Sequence, residues 1–97
     1  MLVNPVNISS LALVEIKKMF LKNGLDPQFG LRIGVKGAGC AGTTFFLGFD
    51  NKKENDAEFF SNDVKIFIEK KHILYLLGVE LDFIDNNSQR GFTFVEK

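Results

Sequence analysis

From Leu31 to Phe49 apolar residues recur at every second position, interrupted once by a glycine-rich stretch, and this pattern constrains the fold of the 97-residue chain more than any other. Leu31, Ile33 and Val35 alternate with Arg32, Gly34 and Lys36, and Phe45, Leu47 and Phe49 alternate with Thr44, Phe46 and Gly48. A period of two places each apolar set on one face of a half-buried strand. Gly37-Ala38-Gly39-Cys40-Ala41-Gly42 between them lets the backbone turn tightly, so the whole reads as a hairpin. Phe46 then faces away from the main core, and a second layer or a partner chain is expected to cover it. Phe67, further on, is off-face in the same way and makes a subunit interface an expectation.

The only cysteine, Cys40, lies at the centre of the loop. A lone cysteine often serves as a small apolar core residue. Here Gly37, Gly39 and Gly42 strip side chains from around it and leave the sulfur reachable.

Several chemistries fit the loop's letters and fail on its context. Gly37 to Gly42 matches G-x-G-x-x-G, but dinucleotide binding needs a helix to open at the last glycines. Thr43-Thr44-Phe45-Phe46-Leu47 is β-branched and aromatic with a period of two instead. A phosphate-binding P-loop fails likewise, because Thr43 stands where the lysine should be. Nucleophilic catalysis by Cys40 would need a base, and the only histidine, His72, reads as an exposed residue at the start of a short helix. No carboxylate spacing singles out a general acid and base. Thiolate coordination of a soft metal or an iron–sulfur species remains, although one thiolate cannot fill a four-thiolate shell.

The rest of the chain reads as support for the hairpin. Ser9 is a candidate N-cap for an amphipathic helix from about 9 to 23, with Ala12, Leu13, Ile16, Met19 and Phe20 on its apolar face and Gly24 as its stop. Asp50 to Asp56 reads as a solvated loop. Glu58-Phe59-Phe60 and Val64 to Ile68 flank a turn at Ser61-Asn62-Asp63, giving a second hairpin. His72 to Leu77 suits a short buried helix capped by Gly78, and residues 79–95 read as a third hairpin turning at Asp85 to Gly91. The expected fold is mainly β, in the α+β sense, as a single domain over residues 1–97.

Twelve Lys and Arg balance twelve Asp and Glu, which disfavours nucleic acid or an anionic membrane as a partner. No apolar run approaches the roughly 18 residues of a membrane span, and Met1 to Asn7 lacks the layout of a signal peptide. A cytoplasmic address is the resulting expectation, and a single cysteine agrees with a reducing compartment.

The order of these features resembles the A-type iron–sulfur carrier family, also called HesB-like, IscA-like or SufA-like proteins. Leu31 to Phe49 fits the family's L-R-[LIV]-x-V-[KR]-x-x-G-C-[SA]-G-x-x-[YF]-x-[LF]-x-[FY] segment, with Gly39-Cys40-Ala41-Gly42 at its centre. Val64 to Glu69, Leu76 to Phe83 and Gly91 to Phe94 are similar to three later family segments. Ala41 replaces the commoner Ser, and Leu77 stands where an acidic residue is frequent.

The resemblance implies two packed mixed sheets built from hairpins, one N-terminal amphipathic helix, a short second helix and a homo-oligomer. It implies a transfer protein, not an enzyme, that takes a [2Fe-2S] cluster or iron from an iron–sulfur scaffold and delivers it to recipient apo-proteins. Cys40 would be the metal ligand, framed by Gly39, Ala41 and Gly42. Typical members add a C-terminal Cys-Gly-Cys tail, which would begin where this sequence reaches Val95-Glu96-Lys97. Three arrangements stay open: the tail follows residue 97; Cys40 from two subunits binds with glutathione or glutaredoxin thiols; or the domain is a scaffold without metal chemistry.

Overall fold

The computed structural model describes residues 4–24, 26–39 and 42–96. Its elements follow the order β1 (Asn7–Ile8), α1 (Ser10–Asn23), β2 (Gly30–Gly39), β3 (Gly42–Asp50), β4 (Asp56–Ser61) and β5 (Val64–Glu69). A 3₁₀ turn (Lys70–His72) then leads into α2 (Ile73–Leu76), β6 (Val79–Asp85) and β7 (Arg90–Glu96). Two mixed sheets result, a three-stranded one in the order β1-β6-β7 and a four-stranded one in the order β3-β2-β5-β4.

Helix α1 begins as the sequence requires. The Ser9 side chain accepts a hydrogen bond from the Ala12 N–H at 3.2 Å, satisfying one of the donors that a helix start leaves free. The Ser9 hydroxyl also donates to Asp82 Oδ1 at 2.6 Å, and its backbone N–H donates to the Leu81 carbonyl at 2.9 Å. The cap thereby fixes the helix to β6. Gly24 ends it in the left-handed region at φ 57, where a side chain would be strained.

The three hairpins form where the alternation places them. In the β4–β5 turn Asn62 and Asp63 both have positive φ, 45 and 73, the geometry a two-residue hairpin turn needs and that these two residue types tolerate. Leu31, Ile33 and Val35 of β2 and Ile66 and Ile68 of β5 meet Leu81 and Phe83 of β6 in a common core with Ala12, Leu13 and Ile16 of α1. Phe45 of β3 stacks on Phe94 of β7 with ring centroids 5.1 Å apart, joining the two sheets. Phe20 of α1 meets Phe49 of β3 edge to face at 4.8 Å.

The outer face of the four-stranded sheet answers what covers the off-face aromatics. Phe67 is only 1% exposed, and its ring lies over Gly30, where an added Cβ would come within 2.8 Å of it and 2.9 Å of the Lys65 carbonyl. Phe46 pairs with Gly34 across the β2–β3 ladder and lies over it in the same way, at 2.6 Å from such a Cβ. Rings from neighbouring strands thus fill the space that two glycines leave, so the chain itself covers Phe67 and half-buries Phe46. Phe67 is thus covered within the chain and marks no interface, while Phe46 keeps part of its ring exposed.

Gly30→Ala is expected to destabilise the fold by about 1–3 kcal/mol, because neither the buried Phe67 ring nor the Lys65 backbone can give way. Gly48→Ala, where nothing lies within 4 Å of the new carbon, should leave thermal unfolding almost unchanged. Melting curves of the two variants beside the parent protein test the contrast.

Candidate functional site

The β2–β3 ladder runs from Gly30↔Asp50 to Gly39↔Gly42. Cys40 and Ala41, the two residues between that last pair in the chain, lie outside the described residues. Of the loop residues read as a metal-binding frame, Gly39 and Gly42 therefore appear as directly paired strand ends. The register slips once, between Val35 and Gly37, which makes Lys36 the extra residue of a β-bulge. A bulge bends and twists its strand, so the distal part of β2 leaves the sheet at an angle set there.

Three contacts hold the hairpin's base on the outer face. The first is the Arg32 guanidinium, whose side chain is 13% exposed. Its two terminal nitrogens donate to the two oxygens of Asp56, with Nη1 to Oδ1 at 2.8 Å, while Nε donates to Asp50 Oδ2 at 2.9 Å. Nη2 also reaches the Asn51 carbonyl at 3.0 Å, and the Lys53 N–H donates to Asp56 Oδ2 at 2.7 Å. Among the described residues Asp56 is the one buried charged residue, its side chain 1% exposed. The hydrogen bonds from Arg32 hold the Asp56 carboxyl below the usual carboxylate range against the opposing effect of burial. The same pairing raises Arg32, and the Asn51 N–H is the largest cause lowering Asp50.

The second contact is Phe46 over Gly34. The third comes from His72, which the sequence reading places as an exposed helix-opening residue. Its ring is half-buried instead, and Nδ1 accepts the Val35 N–H at 3.3 Å. The chain turns sharply after β5, and this returns the imidazole to the edge of β2. His72 is therefore engaged with the backbone of the hairpin that carries Cys40.

The loop from 50 to 56 is solvated along Asn51 to Asn55, as its composition implies, but its two terminal aspartates fold back to clamp Arg32. Sequence reasoning missed this set. The available signal was an arginine on the non-core face of a buried strand, flanked by glycines at 30 and 34, with acidic residues at both ends of the following loop. Among the described residues no three His, Cys, Asp or Glu side chains come together as a metal site. Cys40 is the single thiol of residues 1–97.

Comparison with known proteins agrees with the fold. A family model described as iron-sulphur cluster biosynthesis matches residues 5–97. The iron-binding protein IscA of Serratia proteamaculans is 41% identical over 73 residues, covering 74% of this chain and 68% of its own length. The crystal structure of SufA from Escherichia coli, a protein involved in biosynthesis of iron-sulfur clusters, superposes with a TM-score of 0.78 at 24% identity, over 99% of this chain and 83% of that one. A crystal structure of IscA with a [2Fe-2S] cluster gives 0.73 at 23% identity, over 94% and 84%. The chain belongs to the iron–sulfur cluster biosynthesis family, within its HesB/IscA branch.

The Arg32–Asp56 pair predicts a pH dependence with a definite sign. The Asp56 carboxyl is lowered in the fold, so the pair contributes fully above the carboxyl's unfolded value and is lost as pH falls through the lower folded one. Urea midpoints should drop steeply below about pH 4. Asp56→Asn should be less stable at neutral pH by about 3 kcal/mol and show a shallower drop over the acid range.

Proposed function

We propose that this chain carries a [2Fe-2S] cluster or iron on the Cys40 thiolate and hands it to recipient apo-proteins, as a transfer protein instead of a turnover enzyme. The observation that carries this reading is that Gly39 and Gly42, the end of β2 and the start of β3, pair directly, and the only thiol of the sequence falls between them in the chain. A long hairpin braced at its base and stripped of side chains near its end is a suitable mount for a ligand that must meet other molecules. Membership of an iron–sulfur biosynthesis family supports the cargo, as do an iron-binding relative and a structural neighbour crystallised with a [2Fe-2S] cluster.

Iron–sulfur clusters are held by four ligands as a rule, and residues 1–97 supply one thiolate. The remaining ligands come from outside those residues: any chain that follows residue 97, the Cys40 of a second copy, a small thiol such as glutathione, or a partner protein's cysteines. Sharing the shell between molecules suits transfer, because an incoming apo-protein can replace ligands one at a time. The scaffold that loads the carrier and the recipient that unloads it would then meet the same hairpin end. A reducing cytoplasm would keep Cys40 available as a thiol.

Anaerobic reconstitution with iron and sulfide, followed by visible absorption and iron counting, tests the proposal. The parent protein should retain iron and Cys40→Ser should lose most of it; equal retention would overturn the assignment of Cys40. Retention should also weaken as pH falls, because protons compete with metal for the thiolate.

A further inference from the structure

We propose that His72 is the positioning residue for the hairpin that leads to Cys40: by accepting the Val35 N–H it pins the free edge of β2 and sets the course of that strand. The inference rests on the reading of Cys40 as the metal ligand.

Strand β2 spans Gly30–Gly39, but on its β5 side it pairs only at Leu31↔Ile66 and Arg32↔Phe67. Beyond that point β5 ends at Glu69 and the chain enters the 3₁₀ turn. Among the described residues, the half of β2 leading to Cys40 then has β3 as its only strand partner. Its outward N–H groups face an edge without a ladder. Among the described residues His72 is the one side chain that hydrogen-bonds this half of the strand, at Val35.

The site of that bond matters mechanically. Val35 is the last regular residue before the bulge, so it is the pivot at which the strand changes course. The imidazole also lies against Gly34, with Nδ1 3.1 Å from where a Cβ would be, beside the Phe46 ring. Two rings thus pack over a residue with no side chain, and the absence of a Cβ at Gly34 is what lets His72 reach the backbone. The pin is itself anchored, since the Lys70 N–H donates to the Asn55 carbonyl at 2.9 Å, and Asn55 adjoins Asp56, which Arg32 clamps. A chain of short bonds therefore links β4, the 3₁₀ turn and the hairpin's pivot.

The acceptor must be an uncharged ring nitrogen with a free lone pair. Asparagine can offer Oδ1 at a position close to that of Nδ1, whereas leucine fills the volume without an acceptor. His72→Leu should speed amide exchange at Val35 in the metal-free protein by about tenfold. It should also shift the rate of Cys40 alkylation several-fold and alter the visible circular dichroism of the reconstituted protein. His72→Asn should restore all three readouts towards the parent. Should His72→Leu fail to fold, His72→Ala, which likewise removes the acceptor, is read in the same way.

The proposal is overturned if Val35 exchange responds while Cys40 alkylation does not, or if His72→Asn behaves like the leucine variant. Alkylation that follows His72 in the metal-free protein, with iron absent from every form, would sustain the positioning role and sink the carrier reading. Iron retention by the parent with alkylation indifferent to His72 would do the reverse.

Discussion

The burial of the Arg32 guanidinium on the outer face of β2 is the constraint from which the arrangement around the hairpin follows. A cation withdrawn from water must be paired and hydrogen-bonded, or the cost of desolvation dominates. Arg32 solves this with a two-pronged bond to Asp56 and a third bond to Asp50, so the loop between those aspartates has to curl back over the strand. That places Asp56 at the start of β4 and the Asn55 carbonyl where the Lys70 N–H can reach it. The 3₁₀ turn is fixed as a result, and with it the position of His72. One largely desolvated cation on β2 thus organises the segments that reach the same strand's pivot three residues further on.

The pairing also explains the glycines on either side of Arg32. An arginine fork needs room beside it on a flat sheet face, and Gly30 and Gly34, two positions away in each direction, share that face. Bare glycine would leave holes, and Phe67 and Phe46 fill them from the adjoining strands. The outer face is therefore a row of ring, charge and ring, closed mostly within the chain. Its packing differs from the aliphatic inner face, where Leu31, Ile33 and Val35 meet α1 and the three-stranded sheet.

Much of this was legible in the sequence, for reasons that locate what was not. Alternation fixed the inner face of β2 and β3, and the caps Ser9 and Gly24 marked both ends of α1, because these signals are local. The mixed two-sheet fold came from the family resemblance. Strand β1, at Asn7–Ile8, was too short to show a period, and its parallel pairing with β6 depends on a partner more than seventy residues away. The same limit hid the β2–β5 pairing and the Arg32 clamp. Off-face Phe46 and Phe67 were visible as anomalies, yet their resolution required knowing which strand's glycine lay opposite or beneath. His72 was misplaced as exposed because its hydrogen-bond partner is a backbone N–H, which carries no sequence signature.

On the carrier reading, rigidity and affinity are assigned to different parts of the hairpin. A site that must release its cargo gains nothing from a complete ligand set in one rigid chain, since every ligand would have to be broken before transfer. The single thiolate of residues 1–97 gives weak binding alone and strong binding only when further ligands join it, so affinity depends on what supplies them. Such a scheme works only if the single ligand is presented reproducibly, since partners must find it in the same place. The clamp at Arg32 and the pin at Val35 act on the strand that leads to Cys40 through other groups, and on this reading the thiol's coordination can be shared.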